Sequence, residues 1–389
     1  MENFVYSTPT KVYFGKDTHK KVGEIINQLG IKKIMLQYGK GSIKKSGLYD
    51  QVMASLNEFN ITVIEMGGVE PNPKLSFIRE AVKIAKSEKV ELILAVGGGS
   101  ALDSSKFTAI GAYNDKDVWE YVLAKDKPQG ALPVGCILTH SAAGSEMSNS
   151  AVLTNMELNL KKGLGSELNR CKFAICNPEL TYSVDKYQTA CGVVDIMAHT
   201  MERYFTDYED VEITDGIAES LLRTVIKSGS IAIENPTDYD ARANIMWASS
   251  LSHNGLTACG RENYLVVHQI EHAVSGEYDR VAHGAGLAVL FPAWAKYIYK
   301  HNVKRFARFA RNVWGVTEKD DTLASQKGIT AMSEYFKSLG MPLSLKDFDI
   351  PKESISRLAD LCTYGQTRTI KSYIPLGYEE IKEILELSF

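Results

Sequence analysis

Hydrophobic residues in the first half of the chain form short continuous runs that alternate with amphipathic stretches. Four runs predict strands, at residues 32–38, 61–66, 91–96 and 132–139. Three of these runs are almost entirely apolar, as strands buried on both faces of a parallel sheet are. Between them, residues 74–89 place Leu75, Ile78 and Val82 on one helical face. The alternation predicts βαβ units around a mostly parallel sheet.

The pattern changes at about residue 186, where strand-like runs end and helical periodicity continues to the C-terminus. Pro178 interrupts any helix just before this point. A chain of 389 residues exceeds one ordinary core, which favours two domains. We therefore predict an N-terminal Rossmann-like α/β domain over residues 1–185 and an all-helical domain over residues 186–389.

Composition excludes several classes of protein. Hydrophobic residues make up 44% and charged residues 23%, as in globular domains, which argues against disorder and fibrous repeats. The net charge of -3 provides no basic field for nucleic acid or anionic lipid. Neither a secretory leader nor an apolar run of about 18 residues is visible, so we expect a cytoplasmic protein without membrane partners. The six cysteines form no CxxC pair, so no thiolate zinc site is indicated.

A glycine-rich segment follows the third predicted strand. Val96 is succeeded by GGGS at residues 97–100 and then by a helix-compatible stretch containing Asp103. Glycines let backbone amides approach an anion, and a helix N-terminus adds a positive dipole end, so the segment suits a pyrophosphate. The alternative is a plain strand-to-helix turn, because Leu102 stands where the third glycine of GxGxxG would fall. A second loop, at residues 144–146, is a weaker candidate for contact with the same cofactor.

The segment after the first predicted strand indicates which dinucleotide is bound. Tyr38 is followed by GKGSIKK, which contains three lysines, Lys40, Lys44 and Lys45, and no acid. An acidic side chain near this position commonly accepts the ribose 2′-hydroxyl and repels a 2′-phosphate. The sequence therefore favours NADP(H) over NAD(H). A solvated lysine patch is the alternative interpretation.

Histidines are concentrated in one part of the second half. Five of the eight fall in a single window, namely His199, His253, His268, His272 and His283. Asp195 and His199 share one helical face at i and i+4, and His268 and His272 have the same spacing. One carboxylate plus three imidazoles suits Zn²⁺ or Fe²⁺ with a position left open for a substrate oxygen. Taken singly, each histidine is equally explained as a surface or hydrogen-bonded core residue.

At these motifs the chain resembles the iron-dependent (group III) alcohol dehydrogenase family, and within it the NADP(H)-using butanol dehydrogenase branch. The resemblance extends over essentially the whole chain. Its carriers are YGKGSIKKSG (38–47), PNP (71–73), GGGSALDSSK (97–106), GSEM (144–147), GVVDIMAHTME (192–202) and HQIEHAVSGEYDRVAHGAG (268–286). It implies a dinucleotide-binding first domain, a metal-binding and catalytic second domain, and a homodimer joined through the N-terminal strands.

The resemblance also implies roles for individual residues. Asp195, His199, His268 and His283 would hold the divalent metal, Fe²⁺ or Zn²⁺, and His272 would lie beside it as a catalytic residue. Asp103 would act near the ribose or nicotinamide. Together with the segment after Tyr38, the expected cofactor-binding residues are Gly39, Gly41, Ser42, Lys44, Lys45, Asn72, Gly97, Gly98, Gly99, Ser100, Asp103, Thr139, Ser145, Lys161 and Leu180.

Three positions depart from the family pattern. Relatives often have a third glycine at Lys40, a small or apolar residue at His140, and Trp near Leu265. The first departure bears on how the cofactor is held. The other two bear on the shape of the pocket and the choice of substrate.

The expected activity is hydride transfer between NADP(H) and a small primary alcohol or aldehyde resembling butanol or butanal. The metal would act as a Lewis acid on the substrate oxygen, and His272 would relay the hydroxyl proton. A lyase or cyclase of the dehydroquinate synthase type is one rival, although it needs a Lys- and Arg-rich pocket and only Arg261 and Arg280 are near the histidines. A non-catalytic dinucleotide-binding protein with a closed structural metal site is the other.

Overall fold

The computed structural model describes residues 1–389 and contains eight strands and fifteen α-helices. The strands are β1 Lys11–Phe14, β2 Lys33–Tyr38, β3 Thr62–Gly67, β4 Leu92–Gly97, β5 Val134–Leu138, β6 Ser150–Asn155, β7 Leu160–Gly165 and β8 Phe173–Cys176. The helices are α1 Val22–Gln28, α2 Ser42–Lys45, α3 Leu48–Glu58, α4 Leu75–Ser87, α5 Gly99–Tyr113, α6 Val118–Val122, α7 Lys186–Tyr204, α8 Glu212–Glu234, α9 Tyr239–His253, α10 Val266–Glu277, α11 His283–Ile298, α12 Val303–Trp314, α13 Asp321–Ser338, α14 Ile355–Cys362 and α15 Tyr378–Glu386.

Six strands form one parallel sheet in the order β1-β8-β5-β4-β2-β3. Every residue of β4 is buried, which explains its continuous apolar sequence. Tyr38 at the end of β2 pairs with Val96 near the end of β4. Consequently the segments that follow these two strands begin side by side at the carboxyl edge of the sheet, where α/β proteins bind their ligands.

The four strands expected from the sequence correspond to β2, β3, β4 and β5, with ends that differ by at most two residues. The structure adds two sheet strands, β1 and β8, and an antiparallel hairpin formed by β6 and β7. Residues 74–89, expected to be helical, contain α4. The sequence pattern had not indicated these additional strands.

The chain divides into two compact units. The first is Ser7–Val184 and contains all eight strands. The second joins Met1–Tyr6 to Asp185–Phe389 and contains α7 to α15. The N-terminal segment is tied into the helical unit because the amide of Glu2 donates to the carbonyl of Gly260 at 2.9 Å. Gly260 has φ +77°, and a Cβ there would meet Cγ of Met1 at 2.5 Å.

A buried ion cluster joins helices of the second unit. Asp215 on α8 lies 2.6 Å from Arg261 and 2.5 Å from Arg305 on α12, and all three side chains are almost completely buried. Burial lowers the pKa of Arg261, and Asp215 partly offsets this effect. Buried charges are tolerated only when they are paired, so this cluster fixes the relative positions of the helices that carry it. None of the helices is both long and apolar enough to cross a bilayer.

Candidate active site

The first two candidate metal ligands lie one turn apart on α7. Nδ1 of His199 is 2.9 Å from Oδ1 of Asp195 and also donates to the backbone oxygen of Asp195 at 2.9 Å. Both side chains are buried. The i, i+4 spacing that the sequence showed therefore does place this carboxylate and imidazole together on one face of a buried helix.

His268, on α10, is oriented by a carboxylate that the sequence analysis did not identify. Its Nδ1 lies 2.5 Å from Oε2 of Glu202, which is on the last turns of α7. Glu202 also accepts the backbone amides of Val267 and His268 at the start of α10. With Nδ1 engaged, Nε2 of His268 is directed toward Asp195, 3.5 Å from its Oδ1.

His283 is held in the same way. It is the first residue of α11, and its Nδ1 is hydrogen-bonded to Glu271 of α10. Its Nε2 lies 3.8 Å from Oδ1 of Asp195. The close approach of α11 to α7 needs Gly284, where a Cβ would lie inside van der Waals contact with the backbone of Cys191. A carboxylate on Nδ1 with Nε2 turned inward is the usual arrangement of metal-binding histidines.

Asp195, His199, His268 and His283 form a carboxylate–histidine cluster, and the side chains of this cluster fit a divalent cation. Oδ1 of Asp195 and Nε2 of His268 are buried and make no well-directed hydrogen bond, although Oδ1 lies 2.9 Å from Nδ1 of His199 and 3.5 Å from Nε2 of His268. Burying such atoms without partners costs free energy, and a cation bound between them would remove that cost. The potential ligand atoms of Asp195, His199 and His268 all lie within 4.8 Å of one another. One oxygen and several imidazole nitrogens form a donor set suited to Zn²⁺ or Fe²⁺.

The electrostatics of the cluster follow from its burial and its pairing. Burial raises the pKa of Asp195, but His199, His268 and His283 outweigh it and hold that pKa well below its usual range. Burial and the neighbouring His268 lower the pKa of His199 to about 4. Burial also opposes the charge on His268, but Glu202 and Asp195 prevail and raise its pKa to about 9. The cluster thus presents an ionised carboxylate and a neutral His199 at neutral pH.

Two further histidines border the cluster. The ring of His253 packs in a tilted arrangement against His199, with 4.1 Å between centroids and an interplanar angle of 32°. The ring of His272 lies 5.7 Å from that of His283. Glu271, His272 and His283 form a second group whose potential ligand atoms lie within 4.8 Å of one another. Proximity alone therefore does not distinguish His272 from the four candidate ligands.

The glycine-rich segment of the first unit joins β4 to α5. Gly98 is the N-cap of α5 and has no side chain to cap the helix. Its backbone comes close to the loop after β5, because a Cβ at Gly98 would meet Cβ of His140 at 3.1 Å. The amide of Thr139 donates to the carbonyl of Gly97 at 3.0 Å. The helix thus begins at glycines, whose backbone amides a phosphate can approach without meeting a side chain.

Asp103 and Lys106, on the first turns of α5, hold the loop that contains Ser145. Asp103 accepts from Oγ of Ser145 at 2.7 Å and from the amide of Val152 at 2.9 Å. The ammonium of Lys106 is buried and donates to the Ser145 carbonyl, the Ser145 hydroxyl and the Ser150 carbonyl at 2.7, 2.9 and 2.8 Å. Lys106 belongs to the motif GGGSALDSSK, but the sequence analysis assigned it no role.

Three other expected cofactor residues lie elsewhere in the first unit. Asn72 has φ +51° in the turn before α4. Lys161 is a buried residue of β7, opposite Thr154 of β6. Leu180 follows β8 and packs against the apolar core beside the sheet.

The lysine segment after β2 is partly neutralised by carboxylates. Lys40 lies 2.7 Å from Glu70, and Lys44 lies 3.3 Å from Glu65. Gly41, which has φ +129°, is the N-cap of α2, which begins at Ser42. Gly39, Ser42, Lys44 and Lys45 therefore follow β2 directly at the carboxyl edge of the sheet.

Leu265, one of the departures from the family pattern, immediately precedes α10 and has φ +46°.

The chain thus combines a parallel α/β unit with a helical unit that carries a carboxylate–histidine cluster able to hold a metal ion. Two family models cover nearly the whole chain. The model "Iron-containing alcohol dehydrogenase" matches residues 9–178, and "Fe-containing alcohol dehydrogenase family, C-terminal" matches residues 189–389. The chain therefore belongs to the iron-containing alcohol dehydrogenase family and is an oxidoreductase acting on alcohols or aldehydes.

Individual relatives agree with this assignment. The chain is 44% identical to NADH-dependent butanol dehydrogenase A of Clostridium acetobutylicum, with 100% of both chains covered. It is 36% identical to the NADPH-dependent aldehyde reductase YqhD of Escherichia coli, with 95% of both covered. The crystal structure of NADH-dependent butanol dehydrogenase A from Thermotoga maritima superimposes with a TM-score of 0.97 at 42% identity, over 100% of this chain and 99% of that one.

These findings confirm the family resemblance and the expected fold class, a parallel-sheet domain followed by a helical domain. Membership of the family implies a nicotinamide dinucleotide and iron. It also favours hydride transfer over the rival hypotheses of a lyase and of a non-catalytic binding protein.

Proposed function

We propose that the chain transfers a hydride between NADP(H) and a small primary alcohol or aldehyde, with a divalent metal held by Asp195, His199, His268 and His283. The observation that carries this proposal is the convergence of two buried atoms that make no well-directed hydrogen bond, Oδ1 of Asp195 and Nε2 of His268, which lie 3.5 Å apart. A closed structural site would leave no position for a substrate, whereas three imidazoles and one carboxylate can leave one open.

Two of the four ligands have a supporting carboxylate. Glu202 fixes the tautomer and ring plane of His268 through Nδ1, and Glu271 does the same for His283. When bound, Fe²⁺ or Zn²⁺ supplies a Lewis acid that polarises the oxygen of the alcohol or aldehyde. The apolar neighbours of Asp195 on α7 exclude water and so strengthen each electrostatic interaction in the cluster.

His272 and Asp103 are the proposed catalytic side chains. His272 borders the cluster without being needed to complete four ligands, and an imidazole beside a reacting hydroxyl can exchange its proton with solvent near neutral pH. Asp103 keeps Ser145 in place along the dinucleotide. Residues 1–185 would bind the dinucleotide, and residues 186–389 would hold the metal and the substrate.

The choice of NADP(H) rests on the absence of an acid in the segment that follows β2. Gly39 occupies the position at which an acid would accept the ribose 2′-hydroxyl, and Lys44 and Lys45 follow it within a few residues. Relatives of both kinds exist: the butanol dehydrogenase of C. acetobutylicum is described as NADH-dependent and YqhD as NADPH-dependent. The substrate class, short aldehydes such as butanal, follows the descriptions of the same two relatives. We further propose a cytoplasmic homodimer.

The test combines metal analysis with a cofactor-specific assay. Protein purified without oxygen is analysed for iron and zinc, and NADPH oxidation is followed at about 340 nm with butanal and a panel of short aldehydes. We expect chelation to abolish turnover, Fe²⁺ or Zn²⁺ to restore it, and His268→Ala to lose turnover but still bind NADPH. Full activity in verified metal-free protein would overturn the metal assignment.

A further inference from the structure

A carboxylate on β3 is contacted by three side chains from neighbouring elements. Glu65 accepts from the hydroxyl of Tyr38 at 2.8 Å and from the hydroxyl of Tyr49 on α3. The ammonium of Lys44 lies 3.3 Å from the same carboxylate. Tyr38 is the last residue of β2, and Lys44 is in the segment that follows it. Glu65 is therefore connected to the segment we propose to contact the adenosine ribose.

The two tyrosine rings also lie against the half-exposed lysine. Nζ of Lys44 is 4.4 Å from the ring centroid of Tyr49 and 5.2 Å from that of Tyr38. The Tyr38 ring lies over Gly67, where a Cβ would meet it at 2.7 Å. A cation held against aromatic faces and beside a carboxylate gains from all three contacts. These contacts compete with any other anion for Lys44.

Glu65 is a negative charge on β3, the outermost strand at one side of the sheet. The hydrogen bond from Tyr49 lowers its pKa, and Tyr38 and Lys44 add to that effect against the opposing influence of burial. The same hydrogen bond raises the pKa of Tyr49 to about 12, so the phenol remains a donor at neutral pH. An ionised Glu65 repels a nearby phosphate dianion and has little effect on a neutral ribose hydroxyl.

We propose that Glu65 is a specificity-determining residue for the dinucleotide, which withholds Lys44 from a 2′-phosphate and so narrows the preference for NADPH over NADH. This inference rests on the proposed function, because it assumes that the adenosine ribose binds beside the segment following β2. It assigns opposite effects to two side chains. Lys44 favours binding of the 2′-phosphate when its ion pair with Glu65 is broken, and Glu65 opposes that binding by holding Lys44 in the ion pair.

The variant Glu65→Gln separates these effects. Glutamine has the same shape and retains an oxygen that accepts from a tyrosine, but it removes the charge that binds Lys44. We expect the ratio of kcat/KM for NADPH to that for NADH to rise about tenfold, the order expected for one charge-assisted contact to a phosphate. The gain should shrink at high salt. It should disappear in the double variant Glu65→Gln/Lys44→Met.

A matched control is available at the opposite end of β2. Glu88 is exposed to a similar extent and pairs with Lys33, the first residue of β2, at 3.0 Å. Glu88→Gln removes the same charge from the same unit, and it should leave the NADPH to NADH ratio within about twofold of wild type.

Dissociation constants for NADPH and NADH, measured by fluorescence on the metal-loaded protein, keep this test independent of turnover. A rise in the NADPH to NADH affinity ratio for Glu65→Gln, absent from the control and the double variant, supports the proposal. An unchanged ratio, or an equal rise in the control, overturns it. Failure of wild type to reduce any aldehyde while binding both dinucleotides would contradict the proposed function and leave this comparison valid.

Discussion

Nδ1 of His268 lies 2.5 Å from Oε2 of Glu202, and Nε2 of the same ring lies 3.5 Å from Oδ1 of Asp195. Glu202 and Asp195 are on one helix, α7, two turns apart. A single helix thus provides two candidate metal ligands, Asp195 and His199, and the carboxylate that orients a third, located on α10, toward the same point. The geometry of the cluster depends on how α7 packs against α10.

Replacing Glu202 should weaken metal binding without removing a ligand. The negative charge of Glu202 orients His268 and makes its ring more basic. Glu202→Gln removes that charge, so we expect metal affinity to fall by about 10- to 100-fold. Competition with a chromophoric chelator measures this directly. Circular dichroism of the metal-free variant establishes that it is folded, and chelator resistance equal to wild type would contradict the role assigned to Glu202.

His272→Ala should affect turnover and not metal content. If His272 relays the proton and Asp195, His199, His268 and His283 are sufficient as ligands, kcat should fall by roughly 100-fold or more while metal and NADPH remain bound. His268→Ala, on the same helix, is the comparison variant and should lose the metal. Loss of metal from folded His272→Ala would instead make His272 a ligand.

An acid placed directly after β2 should shift the dinucleotide preference. A Cβ at Gly39 would meet only the Val69 carbonyl, at 3.6 Å, so an aspartate fits there without displacing the backbone. Gly39→Asp should lower kcat/KM for NADPH relative to NADH by at least about tenfold, because its charge opposes a 2′-phosphate and its oxygens accept from a 2′-hydroxyl. Gly39→Asn, of the same size but neutral, should change the ratio far less. Similar shifts in both variants would exclude a charge effect.

Removing the buried ammonium of Lys106 should destabilise the first unit and loosen its cofactor loop. Lys106→Met leaves the carbonyls of Ser145 and Ser150 without their donor and Asp103 without its nearest cation, at a cost of about 3 kcal/mol in the free energy of unfolding. Denaturant unfolding measures the loss, and the dissociation constant for NADPH should rise with it. Lys125→Met, at an exposed lysine of the same unit, should stay within about 0.5 kcal/mol of wild type. Equal stability of the two variants would contradict the role of Lys106.

Periodicity revealed four strands of the sheet, among them the fully buried β4, and missed the short strands and the polar hairpin. The pattern found β4 because all of its residues are apolar and buried. In contrast, β1 and β8 have four residues each, which is too few for a period to be recognised. The hairpin strands β6 and β7 contain Ser, Asn, Lys and Gly and are stabilised by pairing with each other, which a linear pattern does not report.

In the candidate site as well, contacts within one helix could be predicted from the sequence and contacts between different elements could not. The i, i+4 pairs Asp195–His199 and His268–His272 could be found because helical geometry alone makes such residues neighbours. Glu202 and Glu271 could not be recognised, since carboxylates on helices usually face water and their partners lie on other elements. The pairing of Lys44 with Glu65 was hidden for a similar reason, because it depends on the alignment of β2 with β3.

The attachment of Met1–Tyr6 to the helical unit has a consequence for synthesis of the chain. These residues leave the ribosome roughly 250 residues before Gly260, to which Glu2 is hydrogen-bonded, a delay on the order of ten to fifty seconds. During that time the α/β unit, residues 7–184, can fold completely, whereas residues 1–6 cannot yet form their contacts with the helical unit. Residues 1–6 are therefore made well before the helices they pack with, and they can reach their final place only after residues 185–389 have been synthesised.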